Sequence, residues 1–559
     1  MQTTKKLGRR EKVFLGGLFL AVLTVTPYWV MDPMNLPKMT ILGILGFTLL
    51  GTSINTQFLD RVREQKVLTV LAGAFIFNGL LVLFLSGRTI NEGLFGVSGR
   101  NTGFLTYLGF TIVLLVAAQL SSAQFIKSFI YVFTAIGVIL SVYGVIQHFG
   151  LEPFPYVNIY GNNVIGTFGN PNFQSAFMGI FSALLFSLAL DESDSVRKRL
   201  LMGSLALVGV YGVFITNSWQ GFFNFAAGAG VAIVLNLFRG NKEKLGLILL
   251  GIGSALAILV ALGLFNQGPL AAALAKASLS ARRIYWEAAV RMLLDNPLFG
   301  VGWDGFGDWF RRSRSADAVK FNPGLISDSA HSVPLDIASG GGIPLLALYL
   351  SFILLGILAV IKVVKGKRGL SVNYVALVAA WVSYQAQSLI SINQIGLGVI
   401  GWSLTGLVIG YAYIERPENK INNERPSKSI ARKPTQNFSF TSFFAPLVGL
   451  IIGCLVSLPP YISASRFYEG MKTSDARVIN LNAYLEPLDS RRMLYAASVL
   501  ERNKFYKESR EIAMAATQSF PDSFEVWLFL LSLTNSTDED KAKASAEMKR
   551  LDPLNPSLN

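Results

Sequence analysis

The 559-residue chain has one cysteine and two histidines, and only 15% of its residues are charged. Cys454 lies inside an apolar run with no second thiol to meet, which excludes an intrachain disulfide framework and a cysteine metal cluster. Side chains that titrate near neutral pH are confined to two places, His148 and His331. The long apolar runs are almost free of charge, whereas a transporter or flippase places ionisable groups near the midplane of its spans.

What is present is apolar. With 52% hydrophobic residues and a mean hydropathy of +0.47, the chain has more apolar surface than a soluble globular domain can cover, and it reads as an all-α polytopic membrane protein. Spans are expected at 13–31, 37–54, 67–85, 104–120, 127–148, 173–190, 200–216, 222–238, 245–264, 343–361, 373–391, 394–414 and 443–460. The first follows Lys5, Lys6, Arg9, Arg10 and Lys12 but lacks a small-residue cleavage site, so it reads as an uncleaved span.

The net charge of +15 suggests nucleic acid until its distribution is considered. With the N-terminus inside, the inner segments hold most of the basic residues outside the last 100 or so, including Arg197–Arg199, Lys362–Arg368 and Arg416–Lys433. The short outer loops hold only Lys38, Arg88 and Arg100. The basic excess is therefore topological and needs no nucleic-acid partner. This orientation places the N-terminus in the cytoplasm and puts residues 265–342 and the tail on the extracytoplasmic side of the cytoplasmic membrane.

Twelve core spans within 1–415 are followed by a polar, Pro-containing cytoplasmic linker at 416–442 and one added span at 443–460. Residues 461–559 have soluble composition, and Pro487, Pro521 and Pro556 recur at about 34-residue intervals between amphipathic helical patterns. A tetratricopeptide-like helical repeat is expected there, packed on the membrane domain or on a protein partner.

Chemistry concentrates at 281–342. From Arg282 to Asp295, Ile284, Ala288, Ala289 and Met292 share one helical face, while Arg283, Glu287 and Arg291 share another. Arg291 reads as a solvated or headgroup-anchored residue. Arg282 and Arg283 sit at the helix start, where free backbone N–H groups would join a guanidinium in holding an anion. In LFGVGWDGF, Gly300, Gly302 and Gly305 shape the backbone, since neither standard phosphate-loop pattern is present. His331, just before the chain turns apolar again, suits a general base on a sugar hydroxyl; the blander alternative is an interfacial histidine bonded to Asp328 or Asp336. His148 reads as structural. Arg100, between outer-loop glycines, either anchors at headgroups or holds an anionic lipid, and Arg311 is a further candidate substrate contact. Asn170 and Asn172 around Pro171 suit a turn first and a sugar contact second.

RRIYWEAAVRMLLDNPLFGVG and SAHSVPLDIASGGGIPLL, with GTFGNPNF and NSWQG, closely resemble the O-antigen ligase and polymerase family of bacterial cell envelopes. That resemblance implies a metal-free glycosyltransferase without cofactors, working on the outer face of the cytoplasmic membrane. Its donor would be a polyprenyl-diphosphate-linked glycan, and its acceptor an envelope glycan, lipid or protein. It implies His331 as the catalytic histidine, Arg282 or the adjacent Arg283 as the loop-helix arginine, and Arg100 as the arginine of an early outer loop; inversion at the anomeric carbon is expected. Many members carry Ser-Arg-Gly where this chain has Ser218, Trp219, Gln220 and Gly221, which leaves Gln220 as the candidate contact there. A polymerase joining lipid-linked repeat units, a polysaccharide transporter and a non-catalytic assembly protein are the alternatives.

Overall fold

The computed structural model describes residues 6–54, 58–155, 158–274, 277–366, 370–413 and 440–558. These residues form helices, turns and loops, with no strand among them. A helix lies in each of the expected apolar stretches. Among the described residues, nine helices are long and apolar enough to cross a membrane, and Phe104–Gln119 is a shorter apolar helix. The chain is thus a multi-pass, all-helical membrane protein. Most of the linker expected at 416–442 lies outside the described residues.

Burial sorts the helices. Ile395–Tyr413 is apolar all round and buried along almost its whole length, as a helix at the centre of a bundle must be. Glu243–Leu264 is equally apolar yet has only Gly246 and Gly263 buried, which leaves its surface for lipid. Lys38, expected in an outer loop, instead lies buried in helix Asn35–Ser53, where its Nζ donates to the Thr24 carbonyl at 2.6 Å.

One expectation is corrected. The last apolar helix does not stop near Pro459 but runs through Phe440–Lys472, with Pro446, Pro459 and Pro460 inside it. A proline removes one backbone donor, and here packing against Asn35–Ser53 outweighs that loss; Thr40 donates its hydroxyl to the Ser457 carbonyl at 3.3 Å. The far end of this rod carries Phe467 into the core of the C-terminal helices, beside Ile479, Met493, Leu500 and Ile512. The segment 265–342 also holds more helix than the one expected from Arg282 to Asp295. It contains the helices Ala277–Asp295, Phe306–Ser313 and Ala316–Phe321, and helix Val333–Lys365 already begins within it.

Beyond Lys472, the helices Ala476–Ala483, Ser490–Arg502, Tyr506–Ser519, Phe524–Ser532 and Asp538–Leu551 pack in succession. A second small core of Trp527, Leu530, Met548 and Leu551 closes the end of the stack.

Candidate active site

Helix Ala277–Asp295 buries the face its sequence marks: Ile284, Ala288, Ala289 and Met292 join Val301, Phe306 and Phe310 in one cluster. Arg291 lies on the exposed side and pairs with Glu287 at 2.8 Å, an i, i+4 pair in solvent. After Pro297 the chain is stitched backbone to backbone onto the next long helix. The N–H groups of Val301, Gly302 and Ile343 donate to the carbonyls of Ser339, Gly340 and Pro297 at 2.8, 3.0 and 2.8 Å. Such an approach leaves no room for a Cβ. At Gly342, where φ is +76° and helix Val333–Lys365 breaks, a Cβ would stand 2.6 Å from the Leu298 and Pro297 carbonyls. Trp303 then anchors the turn in the bundle, donating from Nε1 to the Gly79 carbonyl at 2.9 Å and lying against Tyr107.

This anchoring sets Asp304 in the middle of the site. Its carboxylate, 1% exposed, accepts from the Val97 N–H at 2.8 Å and the Thr102 hydroxyl at 2.9 Å, and meets the Arg100 Nε at 3.0 Å. Arg100 also donates to the Asp328 carbonyl at 2.7 Å and lies 4.0 Å from Asp336. Burial opposes its charge, but Asp304, Asp328 and Asp336 overcome that and raise its pKa above the ordinary arginine value. Burial likewise favours a neutral Asp328, yet Arg100 and Arg491 hold that carboxyl below its usual range. The charge of Arg100 is therefore already met within the protein.

Arg282 is the opposite case. It makes no hydrogen bond or ion pair with any described residue, and burial lowers its pKa. Arg283, beside it, is exposed. Because the helix begins at Ala277, neither arginine stands at its start as expected, and the free backbone N–H groups of the first turn are not beside them.

His331 is held by its backbone rather than by its ring. Its φ is +52°, an uncommon conformation for a residue with a side chain. The neighbouring Ala330 N–H donates to Asp336 at 2.7 Å, and its own N–H donates to the Ser329 hydroxyl at 3.2 Å. The imidazole stacks on Tyr285, with centroids 5.3 Å apart and planes at 25°, and neither ring nitrogen bonds to a described residue. The carboxylate partner of the alternative reading is not found among the described residues: Asp328 is turned to Arg100 and Asp336 to Ala330. Burial and then the nearby Arg282 push the His331 pKa down to about 4, against a partial opposing pull from Asp328. The ring is neutral at neutral pH, with a lone pair available as an acceptor.

A cavity of about 430 Å³ opens in front of this group, lined by His331, Tyr285, Arg100, Asp304 and Asp328 on one side and by Ser490, Arg491, Leu494, Ser523 and Glu525 on the other. The second wall comes from the C-terminal helices, which are fastened to helix Phe306–Ser313 and the turn after it. Arg314 donates from one nitrogen, Nη2, to both carboxylate oxygens of Asp552 at 2.9 and 2.8 Å, with both side chains buried. Arg312 pairs with Asp522 at 3.0 Å. Arg311 lies over the Phe524 ring at 4.1 Å, with Glu525 at 3.4 Å and Asp552 at 3.6 Å. Arg311 thus lines the cavity but is committed to the docked helices.

Arg282 and Arg283 are not among the residues that line this cavity, and Arg282 reaches it only through its neighbours Tyr285 and His331; the remaining candidates also fall outside the lining. Asn170 caps helix Pro171–Ala189, accepting from the Asn172 N–H at 2.8 Å, and its amide donates to the Tyr160 hydroxyl at 2.7 Å. Asn172 accepts from the Ser218 hydroxyl at 2.8 Å. Gln220 is buried in the bundle and donates to Gln387, which also accepts from Asn224. His148 ends its helix with its ring against Phe149.

Asp304, Tyr285 and Arg491 escaped the sequence reading. For Asp304 a signal exists: an acid beside a tryptophan in a glycine turn, within a stretch rich in arginine. Among the described residues no group of three or more His, Cys, Asp or Glu is placed to hold a metal ion.

No curated protein matches the chain in sequence. Residues 204–350 match the model of the O-antigen ligase family. The matched stretch contains Arg282, His331 and the stitched turn between them, and it supports a membrane function of the O-antigen ligase or polymerase type, that of a glycosyl-transferring enzyme working on a lipid-linked glycan donor and a glycan acceptor.

Proposed function

We propose that the protein transfers a glycan from a polyprenyl-diphosphate donor to an acceptor hydroxyl, on the extracytoplasmic side, with inversion at the anomeric carbon. The observation that carries this reading is an imidazole that lines a cavity with neither ring nitrogen bonded to a described residue, beside a half-buried arginine that pairs with no acid among the described residues.

In this mechanism the acceptor oxygen attacks C1 of the donor sugar, and its proton passes to a ring nitrogen of His331. The C1–O bond to the diphosphate breaks, and Arg282 stabilises the charge on the departing group. The low pKa of the imidazole fits such a cycle. Arg282 depresses His331, so arrival of an anionic diphosphate removes that repulsion and raises the basicity of the imidazole when substrate is bound. Arg100, matched by carboxylates, orients Asp304 and Asp328 and so the walls of the site; Arg283 is an exposed cation on the same helix as Arg282. The successive helices after Lys472 support a tetratricopeptide-like arrangement.

The test is glycan transfer by the full chain in lipid, with EDTA present, from a polyprenyl-diphosphate glycan extracted from its own cell. His331→Ala should lower the rate by at least about 100-fold. Transfer by the wild type at an undiminished rate in His331→Ala would remove the base from this site, and no transfer by the wild type would remove the reading itself.

A further inference from the structure

The wall contributed by the C-terminal helices carries a cation of its own. Arg491, in the first turn of helix Ser490–Arg502, lines the cavity that holds His331. It makes no hydrogen bond or ion pair with a described residue. The acids around it are taken: Asp328 by Arg100, and Glu92 by Arg88 at 3.3 Å. Gly99 lies close to it, and a Cβ there would stand 2.9 Å from the Arg491 guanidinium. Arg491 is exposed at the cavity, and the acid its charge reaches, Asp328, is already paired with Arg100, so the guanidinium is able to take an anion that enters.

Behind Arg491 lies a second cavity of about 410 Å³, and Glu92, Val97, Ser490 and Arg491 line both. This one is largely apolar, with Leu36, Phe95, Ala464 and Phe467 in its walls. Leu36 opens helix Asn35–Ser53, and Ala464 belongs to the long helix Phe440–Lys472, so the cavity adjoins two apolar helices of the bundle. The sequence of features is therefore imidazole, unpaired cation and apolar chamber, which matches an amphipathic anion whose reactive end faces His331.

We propose that the C-terminal helices complete the active site: Arg491 binds the diphosphate of a lipid-linked glycan, and the first isoprene units of that lipid occupy the apolar cavity behind it. This rests on the transferase reading above and extends it, because the tail then acts on substrate directly. The pairs of Arg311, Arg312 and Arg314 with Glu525, Asp522 and Asp552 hold it there. The diphosphate is that of the donor or, if the acceptor is also lipid-linked, that of the acceptor.

The experiment uses the full chain in phosphatidylcholine nanodiscs and titrates sugar-free polyprenyl diphosphate. Arg491→Gln and Ala464→Trp, which fills the apolar cavity, should each weaken binding about tenfold or more, with Arg491→Lys between them and the wild type. Polyprenyl monophosphate should bind more weakly than the diphosphate to the wild type and lose less in Arg491→Gln. Melting temperatures should stay within a degree or two of wild type, since Arg491 is exposed and carries no internal pair. In transfer assays, a raised KM for the donor with kcat preserved assigns the site to the donor diphosphate, and a raised KM for a lipid-linked acceptor assigns it to the acceptor. Equal binding by wild type, Arg491→Gln and Ala464→Trp overturns the proposal and leaves the transferase reading intact. A wild type that binds no polyprenyl diphosphate overturns both.

Discussion

Arg314 and Arg282 come from the same stretch of chain and have opposite surroundings. Arg314 is buried against Asp552, its Nη2 donating to both carboxylate oxygens and its Nη1 to the Pro323 carbonyl at 2.7 Å. Arg282 is half-buried and pairs with no acid among the described residues. A guanidinium fixed to a carboxylate is part of the architecture, because its charge is neutralised and its geometry fixed. One that is desolvated without a partner is unfavourable until an anion arrives. Arg311 and Arg312 fall with Arg314, and Arg100 does too, ringed by Asp304, Asp328 and Asp336. The comparison separates the arginines that build the cavity from those left to act in it.

The largest effect should come from breaking a built pair. Asp552→Ala leaves Arg314 buried and uncompensated, which should weaken docking of the C-terminal helices by about 3–5 kcal/mol. Hydrogen exchange across Ser490–Leu551 would report it as lost protection, and unchanged protection would mean that the pair does not hold the helices. Next is the unpaired case. Arg282→Ala should lower transfer by about 100-fold, with little change in melting temperature, since no internal ion pair is lost. If melting falls and transfer does not, Arg282 belongs with Arg314.

A pH series sharpens the same contrast through His331. Its pKa in the fold, about 4, lies below the ordinary 6.5, so the unfolded chain binds the extra proton more readily between these values. Stability should therefore rise with pH through that window and fall as pH drops from 6.5 toward 4, and His331→Gln should flatten the slope. In transfer, the acid limb of kcat/KM should lie near pH 4, and the limb of kcat at higher pH, because the bound diphosphate offsets Arg282. Coincident limbs would mean that the anion does not sit near the imidazole. The smallest effect is expected at Arg283, where Arg283→Gln should change kcat/KM by about twofold at most, as exposed charges contribute little; a loss as large as that of Arg282→Ala would exchange their roles.

Much of the local structure was legible because helical periodicity is a local property. The apolar runs located the helices, the face of Ile284, Ala288 and Met292 is the face that packs, and the glycines of LFGVGWDGF do shape backbone. His331 and Arg282 stood out by chemistry alone. Two readings missed long-range contacts for a common reason. The change to soluble composition after 460 does not show that packing against Asn35–Ser53 carries one helix on to Lys472. The reading of Arg311 as a substrate contact does not see Glu525 and Asp552, far along the chain.

The sequence by itself determined that this is a helical, multi-pass membrane protein with its scarce titratable chemistry gathered in one loop, since composition and spacing act residue by residue. Only the tertiary structure decided which cations are already matched. Arg100 meets Asp304 because Trp303 is pinned under Gly79, and Arg491 meets the cavity of His331 because Arg314 and Asp552 fasten the C-terminal helices across it. Ion pairing acts over a few ångströms between segments hundreds of residues apart, and the fold alone sets those distances.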